Sequence, residues 1–171
     1  MSKTERAQEV DRLAVLIRKF HPMIPFNKAL GIEVVDLGDG YSVQRLPYSK
    51  DIVGDPETGV IHGGAISTLL DSACGAAGFL TLSEPDHLAT LDLRIDYLRP
   101  ATPGLAVLAR AECYRRTRQV AFLRCVAYHP ASKDGADGAD GAGGPDDPIA
   151  TGSAAFVMGT PSNLKAPRST P

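Results

Sequence analysis

No stretch of this 171-residue chain approaches the roughly 18 consecutive apolar residues that a membrane-crossing helix needs. Its first residues are charged and carry no apolar core of the kind a secretory signal has, so none is expected. Charge of one sign is not in excess either. The 18 Lys and Arg against 20 Asp and Glu leave a net charge of -2, with no general pull toward nucleic acid or acidic lipid. Cysteine is limited to Cys74, Cys113 and Cys125, in apolar surroundings and without paired spacing. Free thiols in a reducing cytoplasm are therefore expected rather than disulfides. No Cys/His ligand cluster points to a structural zinc. With 43% hydrophobic residues, the chain can form one domain with a sizeable core.

The patterning predicts an α+β fold. Residues 3 to about 20 read as a helix, because Val10, Leu13, Ala14 and Ile17 recur at i, i+3, i+4 and i+7. Pro22 and Pro25 are expected to end it. Ile32–Asp36 and Tyr41–Leu46 read as strands around the tight turn Gly38-Asp39-Gly40, and residues 47–61 as a loop. Gly63 to about Leu80 is the one long apolar helix. Four strands follow: Leu88–Leu98, Leu105–Tyr114, Val120–Tyr128 and Ile149–Val157. In the first, Leu91, Leu93, Ile95 and Tyr97 alternate with Asp92, Arg94 and Asp96, predicting one buried and one polar face. Strands that cluster after a single helix imply an antiparallel sheet, since parallel strands would need alternating crossover helices. A lone helix that is apolar nearly all round must be covered on most sides, so the sheet must curve around it. The low-complexity segment 131–148 reads as a solvated loop between two strands. Its Asp-Gly run lacks the glutamate-terminated spacing of a calcium loop. The tail from 159 is expected to be disordered.

The chemistry concentrates at His62-Gly63-Gly64-Ala65-Ile66-Ser67-Thr68-Leu69-Leu70-Asp71. A helix that starts on two glycines exposes backbone N–H donors and allows close approach of a ligand that gathers negative charge. Asp71 sits among apolar neighbours, where a carboxylate is costly without a partner or a purpose. Ser67, Thr68 and Ser72 form the only polar stripe on this helix, so Asp71 is expected to face water or another subunit. Gly63 and Asp71 are eight residues apart, about 12 Å along a helix. Groups that far apart cannot both reach one reacting carbon, so if both act they come from different chains across a two-fold axis.

His62–Asp71, followed by Thr90-x-Asp92-x4-Tyr97-x-Arg99-Pro100, resembles the hotdog-fold acyl-CoA thioesterases of the phenylacetate-degradation (PaaI-like) type, over roughly residues 26–158. The resemblance implies a curved antiparallel β-sheet wrapped around one long central helix, here with an added N-terminal helical extension over residues 1–25. It implies a homodimer, often a dimer of dimers, that hydrolyses acyl-CoA without metal or organic cofactor. In the terms of that family, Gly63 N–H polarises the thioester carbonyl, with Gly64 beside it. Asp71 is the general base or the nucleophile, and Thr90 helps to place the acid or the water. His62 orients the turn, and Ser67 lies on the substrate side of the helix. Arg99, Arg116 and Arg118, with Arg115 beside them, are candidates for holding CoA phosphates. The family's usual Asn before the glycines is replaced by Asp55, which cannot donate a hydrogen bond when ionised. A second carboxylate near Asp71 would raise one of the two pKa values.

Phe20, Met23, Ile24 and Phe26 are expected to line or cover the acyl pocket, which would suit a medium-chain or aromatic acyl group. A Cys74 thiol nucleophile has no cationic residue or base near it in sequence. Two rival functions are a hotdog dehydratase or hydratase, which would need a His–acid pair poised for proton abstraction, and a silent acyl-CoA-binding module.

Overall fold

A computed structural model describes residues 2–131 and 143–159. Residues 132–142, with the whole Asp-Gly run of the expected 131–148 loop, and the tail beyond 159 lie outside them. The chain opens on α1 (Lys3–Phe20), started by a reciprocal cap in which Ser2 and Glu5 each accept the other's backbone N–H. Val10, Leu13 and Ile17 form its buried stripe, as the spacing predicted. Arg6 ties it down, donating from Nη1 to Leu82 O at 2.9 Å and pairing with Asp39.

The two prolines do not simply end this helix. Pro22 sits inside a 3-10 turn (His21–Met23), and Pro25 occupies the first position of a short helix α2 (Pro25–Leu30). A missing N–H is harmless there, because the first helical N–H has no partner in any case.

β1 (Glu33–Gly38) and β2 (Tyr41–Leu46) pair as a hairpin across Asp39-Gly40, so Gly38 belongs to the strand and not to the turn. The expected loop 47–61 holds a second, small hairpin, β3 (Val53–Asp55) with β4 (Val60–Ile61). Then come α3 (Gly63–Phe79), β5 (Leu88–Tyr97), β6 (Val107–Arg116), β7 (Val120–Tyr128) and β8 (Pro148–Met158). The main sheet is antiparallel with strand order β1-β2-β6-β7-β8-β5. α3 packs across β2, β5, β6, β7 and β8. Its Leu69, Leu70, Ala73, Cys74 and Ala77 are fully buried, as an all-round apolar helix requires.

β5 departs from the simple alternation. A bulge at Leu91 puts one extra residue between Thr90 and Asp92 opposite β8, and Leu91 is 59% exposed. β5 is also an edge strand, which leaves Tyr97 about half exposed. The bulge has a useful consequence. Side chains alternate faces along a strand, so Thr90 and Tyr97, seven residues apart, would otherwise point oppositely. The inserted residue restores parity, and both reach α3: Thr90 at Asp71, Tyr97 at Gly63 and Ser67.

Candidate active site

The first turn of α3 is built to leave one N–H free. His62 is the N-cap, and its Nδ1 accepts the Gly64 N–H at 2.9 Å. The Gly64 donor is thereby used, and His62 serves to set the turn. Gly63 N–H has no acceptor among the described residues. Tyr97 Oη donates to Gly63 O at 2.6 Å and lies 2.8 Å from Ser67 Oγ, fixing the glycine turn against β5. A Cβ on Gly63 would lie 3.3 Å from that hydroxyl, tighter than an ordinary contact, so a larger residue would have to push the Tyr97 hydroxyl away by a few tenths of an ångström. Gly63, Tyr97 and Arg99 share a shallow cleft of about 330 Å³.

Asp71 lies elsewhere. Thr90 Oγ1 donates to Asp71 Oδ1 at 2.9 Å, and both line a cavity of about 540 Å³ that runs along α3 from Thr68 to Phe79. Phe20, Ile24 and Phe26 form part of its wall, whereas Met23 is exposed and does not line it. Neither the cleft nor the cavity contains both Gly63 and Asp71.

The remaining candidates are dispersed. Asp55 closes its own turn, accepting from Glu57 N at 3.0 Å and from Thr58 Oγ1. The Thr58 hydroxyl, then the Glu57 N–H, hold its carboxyl below the usual range, so the raised value expected from a neighbouring acid is not found there. Arg99 forms a bidentate pair with Asp147 (2.7 Å) beside the Gly63 cleft. Arg116 donates to Thr81 O past the far end of α3, and Arg118 is exposed in the β6–β7 turn at that same end. One chain therefore cannot bring Arg99 and the Arg116–Arg118 group to one phosphate. Cys74 is sealed in the core. Its hydrogen bond with Cys125, then burial, push the thiol far above its ordinary range, which rules out a thiolate nucleophile.

The sequence reading passed over a buried polar group next to Asp71. His21 Nε2 meets Gln44 Oε1 and Ser72 Oγ, each at 3.2 Å, and Asn27 Nδ2 donates to Ser72 Oγ at 3.1 Å. Gln44 Nε2 donates to Ser72 O at 3.1 Å. Burial lowers the His21 pKa. The available signal was a His and an Asn inside an otherwise apolar stretch, with Gln44 on the same strand face as Leu46.

A family profile described as "Thioesterase superfamily" matches residues 58–136. A Pseudomonas aeruginosa protein of known crystal structure is 39% identical, with 85% of this chain covering 98% of that one at a TM-score of 0.70. The chain belongs to the thioesterase superfamily. Its fold is the hotdog, and the family places it among thioester hydrolases. Escherichia coli YigI, named a medium/long-chain acyl-CoA thioesterase, is 29% identical to this superfamily member over 137 residues, 72% of this chain and 86% of that one. A structure of the phenylacetic acid degradation protein PaaI from Thermus thermophilus, carrying an Asn-to-Asp substitution, is 26% identical. It aligns over 78% of this chain and 97% of that one, at a TM-score of 0.61.

Proposed function

We propose that this superfamily member hydrolyses acyl-CoA thioesters to a free carboxylic acid and CoA, at a site shared between two subunits of a homodimer. The observation that carries the reading is Thr90 Oγ1 donating to Asp71 Oδ1 inside the cavity, while Gly63, whose N–H has no acceptor among the described residues, lines a separate cleft. The acyl group lies along α3 in the cavity, covered on the N-terminal side by Leu16, Ile17, Phe20 and Ile24, and a medium or long chain suits its apolar length. Thr90, its hydroxyl hydrogen bonded to Asp71, can still accept from a water molecule. As that water's oxygen bonds to the carbonyl carbon, its proton passes to Asp71. Gly63 N–H of the opposing chain, aided by the positive end of α3, takes the charge that develops on the carbonyl oxygen. Collapse of the tetrahedral species expels CoA as the thiolate, which recovers the proton.

A two-fold assembly is supported by the open edge of β5, where Leu91 and, just past the strand's end, Leu98 are both exposed. A dimer of dimers and a cytoplasmic setting belong to the same reading, and three free cysteines accord with the latter. The test is thiol release from a panel of acyl-CoAs. The wild type is expected to turn over and Asp71→Asn to lose most of its kcat. Hydrolysis indifferent to that change would reject the mechanism. Tight binding without turnover would favour a silent binding module, and enoyl-CoA hydration a hydratase.

A further inference from the structure

The cavity has two unlike ends. Toward Phe79 its wall is apolar; beside Asp71 it carries His21, Asn27 and Ser72. The hydrogen bonds at this polar end assign its protons. Gln44 is fully buried, and the donor that reaches its Oε1 among the described residues is His21 Nε2. No sealed side-chain nitrogen or oxygen among the described residues lacks a partner. Gln44 Oε1 thus requires the proton on Nε2. With Nε2 donating, Asn27 Nδ2, 3.2 Å away, cannot donate to it and is directed to Ser72 Oγ instead.

Two acceptors are left over: the lone pair of His21 Nδ1 and the oxygen Oδ1 of Asn27. Neither has a partner among the described residues, although both side chains are only 5% exposed. Since every sealed polar atom is partnered, these two open onto free space, and the cavity is a space that both residues line. Burial disfavours the charged imidazole, so Nδ1 stays an acceptor at neutral pH.

We infer that this pair of acceptors reads a hydroxyl donor on the acyl group, and that the preferred substrates are acyl thioesters hydroxylated within the first few carbons from the carbonyl. The inference rests on the thioesterase reading above and refines it. Position along the chain follows from the helix. Ser72, which anchors the polar corner, adjoins Asp71, so the corner lies at the reacting end. A distal hydroxyl would fall against the apolar wall instead. A substrate hydroxyl donates its single hydrogen bond to one of the two acceptors, whereas an unsubstituted chain that displaces water here leaves both unpaired. Sites of this kind discriminate that difference of one hydrogen bond by about tenfold.

The test compares kcat/KM for a 3-hydroxyacyl-CoA, the unsubstituted acyl-CoA of the same length, and the ω-hydroxy isomer, in the wild type and in Asn27→Leu. The readout is the ratio between substrates within one protein, which partial unfolding of a variant does not move. The wild type is expected to favour the 3-hydroxy substrate by about tenfold over both others, and Asn27→Leu, which leaves only the His21 acceptor, to lower that ratio. His21→Phe should shift it in the same direction. A wild type that hydrolyses plain chains equally well overturns the inference alone. So does an Asn27→Leu variant that slows all three substrates in parallel, because the corner would then be serving the attacking water. A wild type that hydrolyses none of them overturns the hydrolase reading itself.

Discussion

Gly75 sits midway along the cavity, on the face of α3 that carries Asp71, and offers a clean way to alter length without touching the acid. A Cβ there would lie 3.5 Å from Phe156 Cε1 and 3.9 Å from Cζ, ordinary contact distances. Gly75→Ala should therefore fit without strain and gain about 1 kcal/mol from helix propensity. For a chain of this size that is a rise in Tm of roughly 2–4 °C. Gly75→Leu carries three more carbons into the same space and should displace the distal part of a bound chain. Excluding two methylenes forfeits about 1.6 kcal/mol at 0.8 kcal/mol each, or roughly 15-fold in kcat/KM. The assay is thiol release across acyl-CoAs of increasing length. The long-to-short ratio should fall stepwise from wild type through Ala to Leu. A ratio that does not move in Gly75→Leu would mean that the acyl chain does not occupy this cavity. A lower Tm in Gly75→Ala would contradict the packing argument.

Three further outcomes follow from other parts of the molecule. Tyr97→Phe removes the donor to Gly63 O and should lower kcat/KM about three- to tenfold, the worth of one net hydrogen bond; an unchanged value would mean that the glycine turn holds itself. Ser42 is fully buried and donates to Ala73 O at 2.7 Å, so Ser42→Ala should cost about 1 kcal/mol in urea unfolding, and no shift in midpoint would contradict the value given to that bond. The folded His21 pKa lies below the ordinary 6.5, so the unfolded chain binds the proton more readily. Its contribution to stability is full above pH 6.5 and is lost as pH falls toward the folded value. The wild type should accordingly lose more stability between pH 7.5 and 5.5 than His21→Gln does, and equal losses would remove His21 as the cause.

What the sequence made legible was whatever depends on local order. The helical period of Val10, Leu13 and Ile17 and the glycine start of α3 follow from short-range pattern, whereas Thr90 as the partner of Asp71 came with the family resemblance. A sheet curved around one helix follows from a single all-round apolar helix among antiparallel strands, and its assignment as a hotdog from the resemblance of the His62–Asp71 and Thr90–Pro100 motifs. The features that were missed depend on position in the assembled sheet. Nothing local marks Leu91 as the bulged residue of an edge strand, yet that bulge is what turns both Thr90 and Tyr97 toward α3. Pro22 and Pro25 read as breakers because the first-turn role of Pro25 shows only once the chain reverses into α2. His21, Asn27, Gln44 and Ser72 come from four separate elements, and their meeting has no signature in spacing. Asp55 is a site candidate because it precedes the glycines, and what the sequence did not show is that its carboxylate accepts from Thr58 and Glu57 within its own turn.

The central claim is that Gly63 of one chain works with Asp71 of another, and subunit complementation tests it most directly. Asp71→Asn and Gly63→Val, each purified and inactive alone, are unfolded together, refolded as a mixture and assayed for thiol release. Random pairing makes half of the dimers mixed, each with one intact composite site out of two, so about a quarter of wild-type activity should return. If Gly63 and Asp71 of the same chain formed each site, the mixture would stay as inactive as its parts.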